Sequence, residues 1–197
     1  MQSMRKLYKS FMLVLTLALV CMAVNAAAAE VVLNPVADTF VRDGDNAAEN
    51  FGDADRLELK WESDREGMTR ISFIKFDISD ITAVEKATLR LWVEFSDVLE
   101  SKVIGVYDVT GEEWSESELT WENAPLTGGT HVKDLYTDNL GYLWLKVDLT
   151  EQVKQYILDG VQEISIRLEN KSDHWGGAVF ITSKEGENNH PELVIVN

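Results

Sequence analysis

The side chains that most often do covalent chemistry are scarce in this sequence and badly placed for it. His131, His174 and His190 are scattered and form no His-Glu-x-x-His pattern, and neither a Gly-x-Ser-x-Gly elbow nor a phosphate-cradling glycine loop occurs. The single cysteine, Cys21, lies in an apolar N-terminal run, so the rest of the chain has no thiolate nucleophile, disulfide or Cys-ligated zinc. A glycosidase needs only two suitably separated carboxylates, but 34 acids single out no pair. The expectation is a non-catalytic protein whose chemistry is binding. Cations that can hold carboxylates and indoles that can stack on flat apolar faces are the residues to follow.

Strand alternation shows where those residues point, because successive side chains of a strand face opposite ways. In Ala87–Val93, Leu89, Leu91 and Val93 take the core side, which turns Arg90 and Trp92 outward. The same reading exposes Trp144 and Lys146 in Leu143–Val147, Ser165 and Arg167 in Ile164–Leu168, and Glu58 and Lys60 in Leu57–Trp61. Two plainer readings stand beside a ligand platform. Outward bases can pair with acids across strands or deter edge-to-edge aggregation, and outward indoles can be covered by a loop or helix.

Nine short alternating runs are read as strands: 39–42, 57–61, 70–76, 87–95, 103–109, 142–148, 163–168, 178–182 and 193–196. Turn-rich stretches such as Arg42-Asp43-Gly44-Asp45-Asn46 separate them, which predicts an all-β sandwich. One segment has helical spacing instead. Leu149, Val153, Tyr156 and Ile157 recur at helix intervals between Thr150, a residue able to cap the start, and Gly160, able to stop it. A short helix covering one end of the sandwich is expected.

Residues 1–29 read as a secretory signal peptide: Arg5, Lys6 and Lys9, an uncharged run from Phe11 to Val24, then small residues at Ala26–Ala29. That run is shorter than the ~20 residues a membrane-crossing helix needs. Ala18-Leu19-Val20 lacks the small residue expected before a lipid-modified cysteine at Cys21. Residues 30–197 are then a single domain, secreted or at the cell surface, with no membrane span. The full chain has 34 acids against 18 bases and a net charge of −16, and three of the bases lie in the leader, so the field of the domain repels nucleic acid and anionic lipid. Asn170-Lys171-Ser172 is a glycosylation sequon that matters only in a cell able to modify it.

Several stretches in order resemble the DNRLRE-type domains of carbohydrate-binding module family 96. They are Ala37-Asp38-Thr39-Phe40-Val41-Arg42, Asn50-Phe51-Gly52, Leu57-Glu58-Leu59-Lys60, Ser72–Ser79, Ala87–Leu91, Trp114–Pro125, Val147–Val153 and Ser183-Lys184-Glu185 before Pro191. The resemblance implies a jelly-roll β-sandwich and, in some members, binding of acidic polysaccharides such as alginate. Related domains also build surface layers, which keeps open a structural or adhesive role with cell-surface protein partners.

An acidic glycan would call on guanidinium forks for its carboxylates and on indoles for its sugar rings. Arg90 and Arg167 lead as carbohydrate-binding residues, with Arg70, Lys60, Lys75, Lys146 and Lys184 as helpers. Arg70 shares its side of the strand with Ile74 and Phe76, which blurs its assignment. Trp92, Trp144 and the loop residue Trp175 are the stacking candidates, whereas Trp114 and Trp121 are expected to pin the long loop to the sandwich. A neutral glycan would shift the balance from Arg towards Trp and Asn. Calcium takes six to eight oxygens, commonly from loop carboxylates and carbonyls, so a structural calcium ion is expected at Asp38, Asp148 and Glu185, although Asp38 and Asp148 could equally tie backbone turns.

Overall fold

A computed structural model of the chain describes residues 29–62, 64–95, 102–137, 142–172 and 177–197. The expected leader, apart from Ala29, and Trp175 lie outside the described residues. Eleven strands among the described residues form two antiparallel sheets. The six-stranded sheet contains β1 (Glu30–Leu33), β3 (Arg56–Leu59), β5 (Lys86–Phe95), β8 (Leu143–Asp148), β10 (Val179–Thr182) and β11 (Glu192–Val196). The five-stranded sheet contains β2 (Ala37–Arg42), β4 (Arg70–Asp77), β6 (Val103–Asp108), β7 (Thr130–Tyr136) and β9 (Glu163–Asn170), in the order β2-β4-β9-β6-β7. From β1 to β6 consecutive strands alternate between sheets, the crossing pattern of a jelly-roll sandwich.

The long strand β5 organises the six-stranded sheet. It pairs with β8 along one edge, Thr88 with Asp148 through Val93 with Leu143, and with β11 and then β10 along the other. Its alternation decides the core: Leu89, Leu91 and Val93 are fully buried and meet Ile74, Phe76, Ile104, Val106, Ile164, Ile166 and Leu168 from the facing sheet. Two strands, β1 and β7, had no counterpart in the nine expected runs. Each pairs with one neighbour only, β1 with β11 and β7 with β6, and β7 buries just Leu135. An edge strand solvated on one side carries little hydrophobic alternation to read.

The helix α1 (Thr150–Asp159) packs Val153 into the core, with Tyr156 and Ile157 beside it. Its start is held differently from the expectation. Thr150 is already helical; Asp148 Oδ1 accepts the Thr150 N–H at 2.9 Å and its hydroxyl at 2.5 Å. The end follows the sequence: Gly160 adopts φ 71°, and the N–H groups of Gly160 and Val161 return to the carbonyls of Ile157 and Tyr156. Gly160→Ala should therefore cost about 1 kcal/mol, because a β-carbon is strained in the left-handed region; equilibrium urea unfolding would measure it. No helix of the described residues is long and apolar enough to cross a membrane.

Candidate functional site

The outer face of the five-stranded sheet is roofed by the segment between β6 and β7. Trp114 inserts its indole against Phe73, ring centroids 5.9 Å apart, and donates its N–H to Ser165 Oγ at 3.2 Å. Val41, Ile71, Val109 and Leu119 complete this second apolar cluster. The Asn50-Phe51-Gly52 stretch clamps the same segment. Asn50 Nδ2 donates to the carbonyls of Glu116 and Leu119, and Phe51 stacks on Phe40. Gly52 lies so close that a β-carbon would stand 2.6 Å from the Glu116 carbonyl oxygen.

Arg167 supports this roof from beneath. Its guanidinium donates to the carbonyls of Pro125 (2.7 Å) and Gly128 (3.2 Å), pairs with Glu169 at 2.7 Å and lies 4.9 Å from the centre of the Tyr107 ring. It does point away from the sandwich core, as alternation predicts, but the roof leaves it 3% exposed. The expected partnership of Arg167 with Arg90 at a solvent-facing site is thereby corrected: they occupy different sheets, and Arg167 is a buried tie. Lys75 is a similar tie, donating to the Trp114 carbonyl at 3.0 Å, pairing with Glu163 at 3.4 Å and covering the Trp114 ring.

Where the roof stops, beside the start of β4 and the end of β9, a cleft of about 470 Å³ opens. Trp61, Tyr107, Trp121, Ile71 and Leu126 form its apolar walls, and Lys60, Arg70 and Lys171 its cations, with Glu169 as the one acid. Volume and lining suit a ligand that is flat, polar at its edges and negatively charged. Each cation is held by an acid: Lys60 Nζ by Glu62 at 2.8 Å, Arg70 Nε by Glu58 at 3.0 Å and Lys171 Nζ by Asp134 at 2.9 Å. Lys60 holds the Glu62 carboxyl below its ordinary value through that hydrogen bond. Burial lowers Arg70, with Glu58 opposing the shift. Trp61 leaves 37% of its surface exposed.

Lys60 and Arg70 are the two residues of this cleft that the sequence named. Arg70 faces inward by parity, but it sits at the first position of β4, bridged to Lys60, where the sheet ends. Tyr107, Trp121, Glu169 and Lys171 were not foreseen as lining. Trp121, expected to pin the loop, does pack against the second apolar cluster and also lines the cleft.

The outer face of the six-stranded sheet brings together the other named group. Trp92 and Trp144 are register partners with ring centroids 5.4 Å apart; Tyr142, 69% exposed, lies 6.3 Å from Trp92. Arg90 sits over Trp144 at 4.6 Å and pairs with Glu192 at 2.8 Å. Lys146 is exposed opposite Arg90 and makes no ion pair among the described residues. This is a shallow aromatic platform with cations at one end.

Lys184 belongs to neither surface. Its ammonium pairs with Glu116 at 3.1 Å and with Glu185, next to Asp38. Burial disfavours its charge, but the hydrogen bonds to Glu185 and Glu116 outweigh that and raise it above its ordinary value. Asp38 is fully buried, and burial pushes its carboxyl up to about 7. Of the expected calcium ligands, Asp38 and Glu185 come together, whereas Asp148 is at the start of α1, engaged with Thr150. Glu116 stands in the third position.

A gellan lyase from Bacillus sp is 26% identical over 133 residues, which is 66% of this chain but 5% of that much longer relative. The K1 adhesin domain of Lys-gingipain from Porphyromonas gingivalis aligns over 86% of this chain and 99% of its own, with a TM-score of 0.40 and 9% identity. The CBM22-1 xylan-binding domain from Paenibacillus barcinonensis aligns over 87% and 97%, with a TM-score of 0.36 and 8% identity. Residues 29–197 match a family of binding modules along their whole length, and the chain belongs to carbohydrate-binding module family 96.

Proposed function

We propose that this carbohydrate-binding module is a secreted or surface-held, non-catalytic domain that binds an acidic polysaccharide in the cleft beside the roof. The observation that carries the reading is the convergence of Lys60, Arg70 and Lys171 with Trp61, Tyr107 and Trp121 on one cleft, in a chain of net charge −16. Uronate carboxylates would meet the cations, and the apolar faces of the sugar rings would lie on the indoles. The acids behind the cations fix where the positive groups stand, so a polymer finds a preorganised set. Arg90, Trp92, Trp144 and Lys146 offer a second, shallower surface of the same chemistry on the other sheet. Gellan, the polymer in the relative's name, is an acidic polysaccharide and an obvious first ligand to test.

Affinity electrophoresis and calorimetric titration against gellan, alginate and a neutral glucan test the proposal. Retardation by an acidic polymer, weakening as salt is added, is expected, because partly exposed charge contacts are screened. Trp61→Ala should reduce affinity roughly tenfold, the equivalent of ~1.4 kcal/mol, with little change in stability. Absence of binding to any acidic polymer overturns the reading. A loss confined to Trp92→Ala or Trp144→Ala would move the site to the six-stranded sheet.

A further inference from the structure

Asp38 presents a problem that its surroundings do not solve. The residue is fully buried in β2; its Oδ2 accepts the Lys184 backbone N–H at 2.8 Å, while Oδ1 is buried with no hydrogen-bond partner. A buried carboxylate oxygen left unpaired is costly, and native structures rarely keep one without a ligand for it. Two further carboxylates converge on it from separate parts of the chain. Glu116 comes from the roof and accepts the Asp38 N–H through Oε1 at 2.7 Å; Glu185 comes from the turn after β10. One oxygen from each of the three lies within 4.8 Å of the others.

We propose that Asp38, Glu116 and Glu185 form a calcium site, with the Lys184 ammonium as the place-holder that the ion displaces. The donor set is all carboxylate, which selects a hard cation over zinc or copper. Calcium–oxygen distances of ~2.3–2.6 Å accommodate ligands up to about 5 Å apart across the ion, and calcium tolerates an irregular carboxylate set, whereas magnesium demands near-ideal octahedral geometry and gives up its water reluctantly. One ammonium against three carboxylates leaves the cluster negative, and the Lys184 ammonium pairs with Glu116 and Glu185. Its side chain is 26% exposed, so the ammonium can swing into solvent as a doubly charged ion enters. Bound calcium would fasten the roof to β2 and to the turn beyond β10.

Chelator-stripped full-length protein titrated with calcium, read by thermal unfolding and by calorimetry without glycan, tests the site independently of polysaccharide binding. A saturable rise in melting temperature is expected, with magnesium much weaker. Lys184→Met should tighten calcium binding tenfold or more. Asp38→Asn and, as a variant on a more exposed ligand, Glu185→Gln should each weaken it by at least tenfold. The proposal is overturned if neither the unaltered protein nor Lys184→Met responds to calcium at about 10 mM, well above the ~1 mM dissociation constants of weak extracellular modules. A response preserved in both Asp38→Asn and Glu185→Gln would place the ion elsewhere and overturn it equally.

Discussion

Arg167→Ala is expected to destabilise the domain by roughly 3–5 kcal/mol, the range for removing one partner of a buried ion pair. The change leaves the Pro125 and Gly128 carbonyls without their donor, Glu169 without its counter-charge and Tyr107 without the cation beside its ring. For a domain of this size such a loss lowers the melting temperature by roughly 10 °C. Arg167→Lys keeps the charge but cannot span two carbonyls and a carboxylate with one ammonium, so about half the loss should persist. Glycan affinity should fall as well, since Trp121 and Leu126 line the cleft from the segment Arg167 ties down. Equilibrium unfolding and titration of the same variants give both readouts. An Arg167→Ala protein with unchanged stability would show that the roof is held by its apolar contacts alone.

The fate of Arg167 also marks where sequence reading stops. Alternation assigns a side chain to one face of a strand, and it did so correctly for Arg90, Trp92, Trp144, Lys146 and Arg167. It carries no information on what covers that face. The six-stranded sheet leaves its outer face partly open, so the first four meet there as expected. The five-stranded sheet is roofed by a segment whose irregular backbone has no period to read, and Arg167 disappears beneath it. The cleft was half legible for the same reason. Lys60 and Arg70 lie on strands, whereas Trp121 arrives from the roof and Lys171 from just beyond β9. Glu116 reaches Asp38 across 78 residues of sequence, a contact that only the folded chain makes. The stretches Asn50-Phe51-Gly52 and Trp114-Ser115-Glu116 gain a physical meaning from this: they dock the roof on the sandwich.

Trp114 and Trp121 should separate these two tasks under mutation. Trp114 is 8% exposed, packs on Phe73, bonds Ser165 and carries the Lys75 ammonium over its ring. Trp114→Ala therefore empties the middle of the second apolar cluster and strands the Ser165 hydroxyl, at a cost of about 3–5 kcal/mol. Trp121 is only partly buried against the second apolar cluster; its removal should cost about 1 kcal/mol of stability while lowering acidic-glycan affinity tenfold or more. The Trp114→Ala protein should lose affinity too, but for a different reason, as the roof loosens and the cleft wall goes with it. The two causes separate on cooling. Restoring the folded population restores binding only where instability was the defect, so Trp114→Ala should recover affinity at low temperature and Trp121→Ala should not. Titration across temperature, with circular dichroism reporting the folded fraction, decides between a wall and a pin; equal recovery by both variants would remove Trp121 from the ligand surface.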